Sequence, residues 1–530
     1  MSAMASYGRP HPNPLDRDLL APPRVFPAKL PQPSYAHLRR RAWQITRSAG
    51  RHLGVHLITS AKASRRPDAE LARPLRLIFQ DLGATFMKFG QLIASSPGMF
   101  GDAMANEFRS CLDTGPVVDF DQVRDQVERN LGMPLVDAFE SFERHPIGCA
   151  SIAVVHRARL KDGREVAVKV LRPGIDRTVA TDLDLLQPLL EVVARQTGNQ
   201  VAASLLQLVD GFREQIGEEL DLRNEARAML HYRRLLEEVD LAFITVPEPY
   251  PELSGPQVLT MEYLDGVAVD DLEGLARMEL DPRPLVEGVV RGFFLTAIRW
   301  GVFHGDVHAG NLLVLRDGRM GILDWGIVGR LDPETHLFFC RIIEAALGNE
   351  AAWEDIAEHL SRAYGPALKE GLGLDGPELA QFIRSMMEPI LTRPFGEISL
   401  GAIMQAPMDQ ITRSHGIRKE SRSLISIARR FRQQRRLRGM IESHGTVGST
   451  FDRGTFLLSK QLIYFERYGK MFLSDVSLLS DPEFFASLLQ QTPVNTLSPA
   501  IQAPRSISPV VSDKLPEKAS LPVPKKIIAP

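Results

Sequence analysis

The chain has 530 residues, of which 44% are hydrophobic and 24% charged, and its formal net charge is −2. This composition is ordinary for a soluble globular protein, and the near-neutral charge gives no global attraction to polyanions, so nucleic acid is not expected as a partner. The three cysteines, Cys111, Cys149 and Cys340, are far apart. This spacing argues against a disulfide framework or a zinc site and favours a reducing compartment.

The N-terminal part of the chain has two distinct compositions. Residues 1–34 are rich in proline and lack a continuous apolar core, which predicts a disordered leader and no secretory signal. Tyr35–Arg66 carries eight Lys or Arg residues and no acid, with apolar residues between them. Such a segment suits peripheral contact with an anionic membrane surface, and the alternative is a solvated helix packed on the core. The sequence contains no window of roughly 18 apolar residues that would predict a transmembrane helix, so any membrane link is expected to be peripheral or through a partner.

Composition and periodicity divide the chain into regions. In order they are a leader with the basic segment (1–67), a helical extension (68–145), a small mixed lobe (146–265), a larger helical lobe (266–490) and a disordered Pro/Ser-rich tail (491–530). In the extension, Phe120–Leu131 places Val123 and Val127 on one face and ends at Gly132, a helix stop signal. A basic run, Arg413–Arg438, suits anionic lipid or nucleic acid, but a solvated helix face is the favoured interpretation.

The small lobe is predicted to combine strands with long helices. The predicted strands are 151–160, 164–170, 243–246 and 257–263. The long helices are expected near Asp176–Arg195 and over Ala202–Glu238, and Leu264-Asp265-Gly266 is the predicted hinge.

One motif points to phosphoryl transfer. His304-Gly305-Asp306 is followed by Asn311 and, thirteen residues later, by Asp324-Trp325-Gly326. In the protein-kinase-like layout the first Asp orients the attacking hydroxyl or water, while the Asn and the second Asp hold magnesium ions at the nucleotide phosphates. Residues 312–315 and 320–323 are predicted to form two strands around an Asp-Gly turn, which brings Asn311 and Asp324 close together.

Two further residues precede this motif in the expected order. Lys169 ends the apolar strand Val166–Lys169, the pattern of the lysine that contacts the α- and β-phosphates. Glu225 lies in a helical stretch and is a candidate for the carboxylate that fixes Lys169. Taken singly, each of these residues also suits a solvated strand end, a helix surface or a turn, and only the ordered set favours a nucleotide site.

A second signature is absent from ordinary kinases. Lys88-Phe89-Gly90-Gln91 lies on an apolar helix, Gly148-Cys149-Ala150-Ser151 precedes the first predicted strand pair, and Glu219-Leu220-Asp221 follows. Together with the kinase-like residues, this set resembles the UbiB/AarF (ADCK) family of atypical kinases over roughly residues 70–345. The resemblance implies an α+β, two-lobed protein-kinase-like fold with a helical N-terminal extension and an enlarged helical C-lobe.

The resemblance also implies roles for residues and ligands. Asp306, Lys169, Glu225 and Lys88 would be catalytic, and Asn311 and Asp324 would hold Mg²⁺. ATP would bind near Lys169 and the residues Gly148, Cys149, Ala150, Ser151, Gln91, Glu219 and Asp221. The extension would cover the space of a peptide substrate, so an ATPase or a kinase for a small or lipid-associated substrate is expected, in isoprenoid quinone or other membrane-lipid metabolism. Together with Tyr35–Arg66, the resemblance implies a cytoplasmic protein at a membrane face, with a lipid or quinone precursor as a candidate substrate. The oligomeric state stays open, with a homo-oligomer or a lipid-synthesis complex as the candidates.

Two rival functions stay open. The His-Gly-Asp sequence also resembles aminoglycoside and choline kinases, which favours a conventional phosphotransferase acting on a protein or small-alcohol hydroxyl. A non-catalytic nucleotide-sensing scaffold is the other alternative, although the intact set of motif residues argues against it. The loop Gly148–Ser151 departs from the family's alanine-rich version, and Val307 and Ala309 stand where prolines are common in the family.

Overall fold

The computed structural model describes residues 25, 27–60, 67–94, 102–108, 118–197, 209, 212–239, 241–372, 374, 376–399 and 453–492. The basic run Arg413–Arg438, the tail from residue 493 and the leader up to residue 24 lie outside these residues. Within the described part of the chain, no helix combines the length and the apolar composition that a bilayer crossing requires.

The structure alternates small sheets with many helices. The helices are α1 (Tyr35–Ser60), α2 (Pro67–Leu82), α3 (Ala84–Ala94), α4 (Asp102–Phe108), α5 (Phe120–Leu131), α6 (Leu135–Ala138), α7 (Ile175–Thr197), α8 (212–219), α9 (Leu222–Glu238), α10 (Leu272–Met278), α11 (Arg283–Trp300), α12 (Pro333–Ala346), α13 (Glu350–Leu372), α14 (Gly376–Thr392), α15 (Arg453–Phe472) and α16 (Pro482–Gln491). The strands are β1 (Phe139–Cys149), β2 (Ala153–Leu160), β3 (Glu165–Leu171), β4 (Ile244–Thr245), β5 (Val258–Glu262), β6 (Gly266–Ala268), β7 (Val302–His304), β8 (Leu312–Leu315), β9 (Met320–Ile322) and β10 (Val328–Arg330).

The small lobe is built on an antiparallel sheet of order β1-β2-β3-β5. Its core includes Val154 and Val168 together with Val123 and Val127 of α5, so the predicted apolar face of that helix packs on the sheet. The helix ends at Gly132 with φ 72°, as predicted. Lys169 is aligned with Val155 on β2 and Leu259 on β5, which fixes it on a central strand.

Strand β1 corrects the predicted boundary of the sheet. The prediction of helix up to residue 145 is wrong over its last residues, because β1 begins at Phe139. Its pairing with β2 shifts register three times between Phe139 and Gly148. These irregularities, together with Pro146 in the strand, interrupt the period of two by which strands are recognised in a sequence. The loop Ala150–Ile152 therefore joins two strands of the sheet and does not precede them.

The predicted helix Ala202–Glu238 is also wrong as a single element. Among the described residues it is interrupted at Leu220 and Asp221, between α8 and α9. The Asp221 carboxylate accepts a hydrogen bond from the amide of Arg223 and begins α9 as its N-cap. This break sets the direction of α9, which carries Glu225.

The large lobe contains the predicted hairpin and a long C-terminal helix. Strands β8 and β9 pair antiparallel around the Asp317-Gly318 turn, which confirms the hairpin. Helix α15 packs on α11, where the ring of Phe465 lies 4.8 Å from the ring of Phe293. Phe293 in turn contacts Phe303 on β7, at 5.1 Å between ring centres. Strand β7, which leads into residues 305–311, is therefore packed against α15 through Phe293.

Helix α1, in the basic segment, is fixed to the small lobe by a partly buried ion pair. Arg41 of α1 donates to both carboxylate oxygens of Asp182 on α7, at 2.6 and 3.0 Å, and to the carbonyl of Leu82. Ile78 and Phe86 form an apolar cluster beside this pair. Through Leu82, the last residue of α2, the same guanidinium also links the extension to the lobe that carries Lys169.

Candidate active site

A cleft lies between the small lobe and the turn at Asp324. Eight of the predicted site residues line it: Lys88, Ala150, Ser151, Lys169, Glu219, Asp221, Glu225 and Asp324. A Cβ built on Gly326 would lie 3.3 Å from Asp324 Oδ1 and 3.9 Å from Glu219 and Glu225. Three carboxylates thus converge on a glycine that leaves space between them.

Lys169 is the central cation of the cleft. Its ammonium lies 2.9 Å from both oxygens of Glu225 and 2.9 Å from Oδ1 of Asp324. Burial acts to lower the pKa of Lys169, but the two carboxylates outweigh it and raise the pKa, so the ammonium stays charged. The structure brings together three residues that are separated by up to 155 positions.

The two carboxylates that share this ammonium differ in their pKa. Burial raises the pKa of Glu225 to about 7, and the negative charge of Asp324 adds to this rise while Lys169 opposes it. Burial also acts to raise the pKa of Asp324, but Lys169 and Lys88 outweigh it and hold the pKa below its usual range. Asp324 is thus the ionised member of the pair, as a magnesium ligand must be.

The loop that carries Asp306 is fixed by hydrogen bonds to its neighbours. Nδ1 of His304 accepts from the amide of Asp306, and Nε2 of the same ring lies 3.1 Å from the carbonyl of Leu323. The side-chain amide of Asn311 donates to the carbonyl of Asp306 at 2.9 Å, and the amide of Leu323 donates to the carbonyl of Asn311. Asp306, Asn311 and Asp324 therefore lie on one hydrogen-bonded scaffold.

Asp324 has φ 51°, in the left-handed region that residues other than glycine rarely adopt. Trp325, which follows it, is buried between Tyr232 of α9 and His304, with ring centres 4.2 and 4.5 Å away. Packing of this indole holds the turn in its unusual conformation. Such backbone conformations are found preferentially at functional sites.

Lys88 reaches the cleft from the N-terminal extension. Its ammonium lies 2.7 Å from Oε2 of Glu219, whose other oxygen accepts from Gln215 at 3.0 Å. Gln91 lies one turn beyond Lys88 on α3 but does not line the cleft. Asp221 lines the cleft, although its carboxylate already caps α9 and binds the guanidinium of Arg223.

The loop between β1 and β2 is anchored by a residue that the sequence did not indicate. Arg172 donates to the carbonyl of Ala150 at 2.8 and 3.2 Å, while its amide donates to Ile152. Ala150 and Ser151 line the cleft, whereas Gly148 and Cys149 belong to β1 and do not. A Cβ on Gly148 would meet Val155 at 3.8 Å, an ordinary contact.

Comparison with known proteins places these residues in a family. The model of the ABC1 atypical kinase-like domain matches residues 110–359. The uncharacterized protein Rv0647c of Mycobacterium tuberculosis is 32% identical over 86% of this chain and 85% of its own length. An uncharacterized aarF domain-containing protein kinase of Arabidopsis thaliana is 32% identical over 77% of this chain and 73% of its own. A probable protein kinase UbiB of Vibrio campbellii is 30% identical over 86% and 77%.

The chain belongs to the UbiB/AarF family of ABC1 atypical kinases. Its mixed α and β architecture is accordingly a protein-kinase-like fold. The matched domain contains Lys169, Glu225, Asp306, Asn311 and Asp324 but ends before α15 and begins after α3.

A cation from beyond the ABC1 domain contacts Asp306. The ammonium of Lys460, on α15, lies 2.6 Å from Oδ1 of Asp306. Burial acts to raise the pKa of Asp306, but Lys460, His308 and Lys88 outweigh it and lower the pKa. No motif spacing connects residues 154 positions apart, so sequence analysis did not predict this contact.

Proposed function

We propose that this ABC1-family chain binds ATP with Mg²⁺ in the cleft and transfers or hydrolyses its terminal phosphoryl group. The observation that supports this most is the contact of Lys169 with Glu225 and Asp324, beside the scaffold that carries Asp306. Phosphoryl transfer needs positioning and charge neutralisation more than covalent chemistry by the protein. A fixed lysine, an ionised aspartate and an oriented loop aspartate supply these.

Each motif residue has a proposed role. Lys169 binds the α- and β-phosphates and is oriented by Glu225, as ion-paired lysines are in the protein-kinase-like fold. Asp306 orients the hydroxyl or water that attacks the γ-phosphorus. The loop Ala150–Ser151 covers the phosphates, and Lys88 with Glu219 closes the cleft from the side of the extension. Gln91, Gly148, Cys149 and Asp221 support these groups from the neighbouring elements.

The donor set fits magnesium. Mg²⁺ prefers oxygen ligands and binds through one or two carboxylates or amides together with substrate phosphates. Asp324 is ionised, and the amide nitrogen of Asn311 is engaged by the Asp306 carbonyl, which orients the amide group and its oxygen. Asn311 and Asp324 would hold the ion, which would neutralise phosphate charge. Among the described residues no group of three or more His, Cys, Asp or Glu side chains forms a metal cluster, so the phosphates would complete the coordination.

The substrate is proposed to be a small or lipid-associated molecule. Lys88 of α3 lines the cleft, and the family resemblance implies that the extension covers the space of a peptide substrate. The family resemblance adds isoprenoid quinone or other membrane-lipid metabolism as the setting. Helix α1 has an exposed Tyr35 (76%) and Trp43 (60%), with Arg39 and Arg47 over their rings. Aromatic and basic side chains of this kind suit the surface of an anionic membrane.

A second candidate is a nucleotide-sensing protein without turnover. The contact of Lys460 with Asp306 favours it, because a catalytic carboxylate occupied by an ammonium is not free to orient a nucleophile unless its second oxygen does so. Measuring both ATP binding and phosphate release separates the two functions.

The test is magnesium-dependent release of phosphate from ATP by the full chain, with and without vesicles of anionic phospholipid. Asp306→Asn and Lys169→Ala serve as impaired controls, and Lys470→Met, on an exposed lysine of α15, serves as the neutral control. Release that is strongly reduced in both impaired variants supports the proposal, and stimulation by vesicles supports the membrane setting. ATP binding without release, or release that Asp306→Asn retains, would contradict the proposed turnover and favour the sensing protein.

A further inference from the structure

Lys460 and Asp306 form an ion pair that is shielded from solvent. Their side chains are 12% and 20% exposed, and the distance between Nζ and Oδ1 is 2.6 Å. The ring of Tyr464, one turn later on α15, lies 5.7 Å from the same ammonium. Because water screens this pair only partly, the charge of Lys460 acts strongly on the carboxylate.

Helix α15 is bound to the same loop at two further points. Oε1 of Gln461 accepts from the amide of Val307 at 3.0 Å, and the hydroxyl of Tyr468 donates to the carbonyl of Val307 at 2.8 Å. Both backbone polar groups of Val307, the residue after Asp306, are thus bound by one helix. Three side chains over about two turns of α15 fix two adjacent loop residues.

The packing of α15 indicates whether Lys460 stays beside Asp306 or is displaced to expose it. Gln461, Phe465 and Tyr468 are at most 1% exposed, and Phe465 packs into the aromatic core of the large lobe. A side chain that masks a site and is then released requires an element that opens at low cost, which buried aromatic packing does not provide. Lys460 therefore stays beside Asp306 while the cleft is used.

We infer that Lys460 is a positioning residue for phosphoryl transfer, an inference that rests on the proposed function. Its ammonium binds Oδ1 of Asp306 and so fixes the rotation of the carboxylate, directing the second oxygen to the nucleophile. As the oxygen of the hydroxyl or water bonds to the γ-phosphorus, the bond from that phosphorus to the bridging oxygen breaks and ADP leaves with the electron pair. The proton of the nucleophile passes to Asp306 or to the transferred phosphate, and Lys460 keeps its own protons.

The experiment measures kcat and KM for ATP in Lys460→Met, Lys460→Arg and Lys470→Met. Lys460→Met is expected to lower kcat about 100-fold with KM changed less than about threefold, because misplaced catalytic groups cost rate more than binding. Lys460→Arg keeps the charge, and its kcat is expected to be at least about tenfold higher than that of Lys460→Met. Lys470→Met, on the exposed part of the same helix, is expected to match the wild type.

A double-variant cycle with Asp306→Asn separates positioning from a structural effect. If Lys460 acts through Asp306, Lys460→Met lowers kcat no further when Asp306 is already Asn. Multiplicative losses, a wild-type kcat or an increased kcat in Lys460→Met would each overturn the inference while leaving the proposed function standing. Absence of turnover in the wild type would overturn both. Thermal unfolding of every variant identifies any that fails to fold, and Lys460→Arg then carries the comparison.

Discussion

Nε2 of His304 lies 3.1 Å from the carbonyl oxygen of Leu323, the residue before Asp324. Because a carbonyl only accepts, Nε2 carries the proton, and Nδ1 is then the acceptor for the amide of Asp306. The neutral ring thus joins the backbone that carries Asp306 to the backbone that carries Asp324. Protonation of Nδ1 would remove one of these two contacts.

Stability is expected to fall in acid partly through His304. Burial lowers the pKa of His304 to about 4, below the ordinary value of about 6.5 in the unfolded chain. Between these values the unfolded chain binds a proton that the folded chain does not, so stability is lost as pH falls from about 6.5 to 4, by up to about 3 kcal/mol. Urea unfolding across this window should show a smaller loss for His304→Phe. Equal losses in this variant and in the exposed control His37→Phe would contradict it.

Asp324→Asn is expected to abolish magnesium-dependent turnover while the protein stays folded. Asparagine tolerates the left-handed backbone at this position, and Lys169 keeps its contacts with Glu225. The variant removes the ionised ligand, so kcat should fall at least about 100-fold. Phosphate release and circular dichroism check the two halves of the prediction. Turnover at the wild-type level would show that the reaction does not require the Asp324 carboxylate.

The pair of Lys88 and Glu219 is expected to stabilise the extension against the lobe. Lys88→Met leaves a buried carboxylate without its cation and should lower the free energy of unfolding by roughly 3–5 kcal/mol. The double variant Lys88→Met/Glu219→Gln should recover most of this loss. The exposed pair of Arg283 and Asp475 provides the control, where Arg283→Met should leave the unfolding midpoint nearly unchanged. Equal losses in the single and double variants would show that the two residues do not act as a pair.

Arg172→Ala is expected to weaken ATP binding through the loop between β1 and β2. The guanidinium fixes the carbonyl of Ala150, so its removal should raise KM for ATP about tenfold, with a smaller effect on kcat. Gly148→Ala should change KM little, because its Cβ has space beside Val155. An unchanged KM in Arg172→Ala, or an equal rise in both variants, would contradict this role for Arg172.

Loss of the exposed aromatic residues on α1 is expected to reduce membrane binding. The double variant Tyr35→Ser/Trp43→Ser removes the apolar side chains and should weaken binding to anionic vesicles roughly tenfold, as follows from their apolar area. Binding should also weaken as salt rises, because the arginines of α1 act through screened charge. Sedimentation with anionic and neutral vesicles measures both effects. Equal binding of wild type and variant would exclude α1 as the membrane contact.

The features that sequence analysis predicted correctly are local. The hairpin of β8 and β9 depends on Asp317-Gly318 and two short apolar runs, and α5 depends on Val123, Val127 and the stop at Gly132. The family was also identifiable, because its motif residues lie at fixed spacings along the chain.

The features that were missed depend on tertiary structure. Strand β1 is irregular, so its alternation becomes visible only through its pairing with β2. Asp221 was assigned to the nucleotide site but not recognised as the start of a new helix. Arg172 and Lys460 act on backbone or side-chain groups that approach them only in the folded chain, and a single basic residue has no periodicity from which such a contact can be predicted.

The positions of Lys88 and Lys460 determine how small a working protein can be. Both residues lie outside the matched segment 110–359, one on each side of it. A fragment trimmed to that segment would keep Lys169 but would leave Glu219 and Asp306 without their ammonium partners. Inactivity of such a fragment would therefore not show that the whole protein is catalytically inactive. Screens of ligands or inhibitors should use a chain that includes α3 and α15.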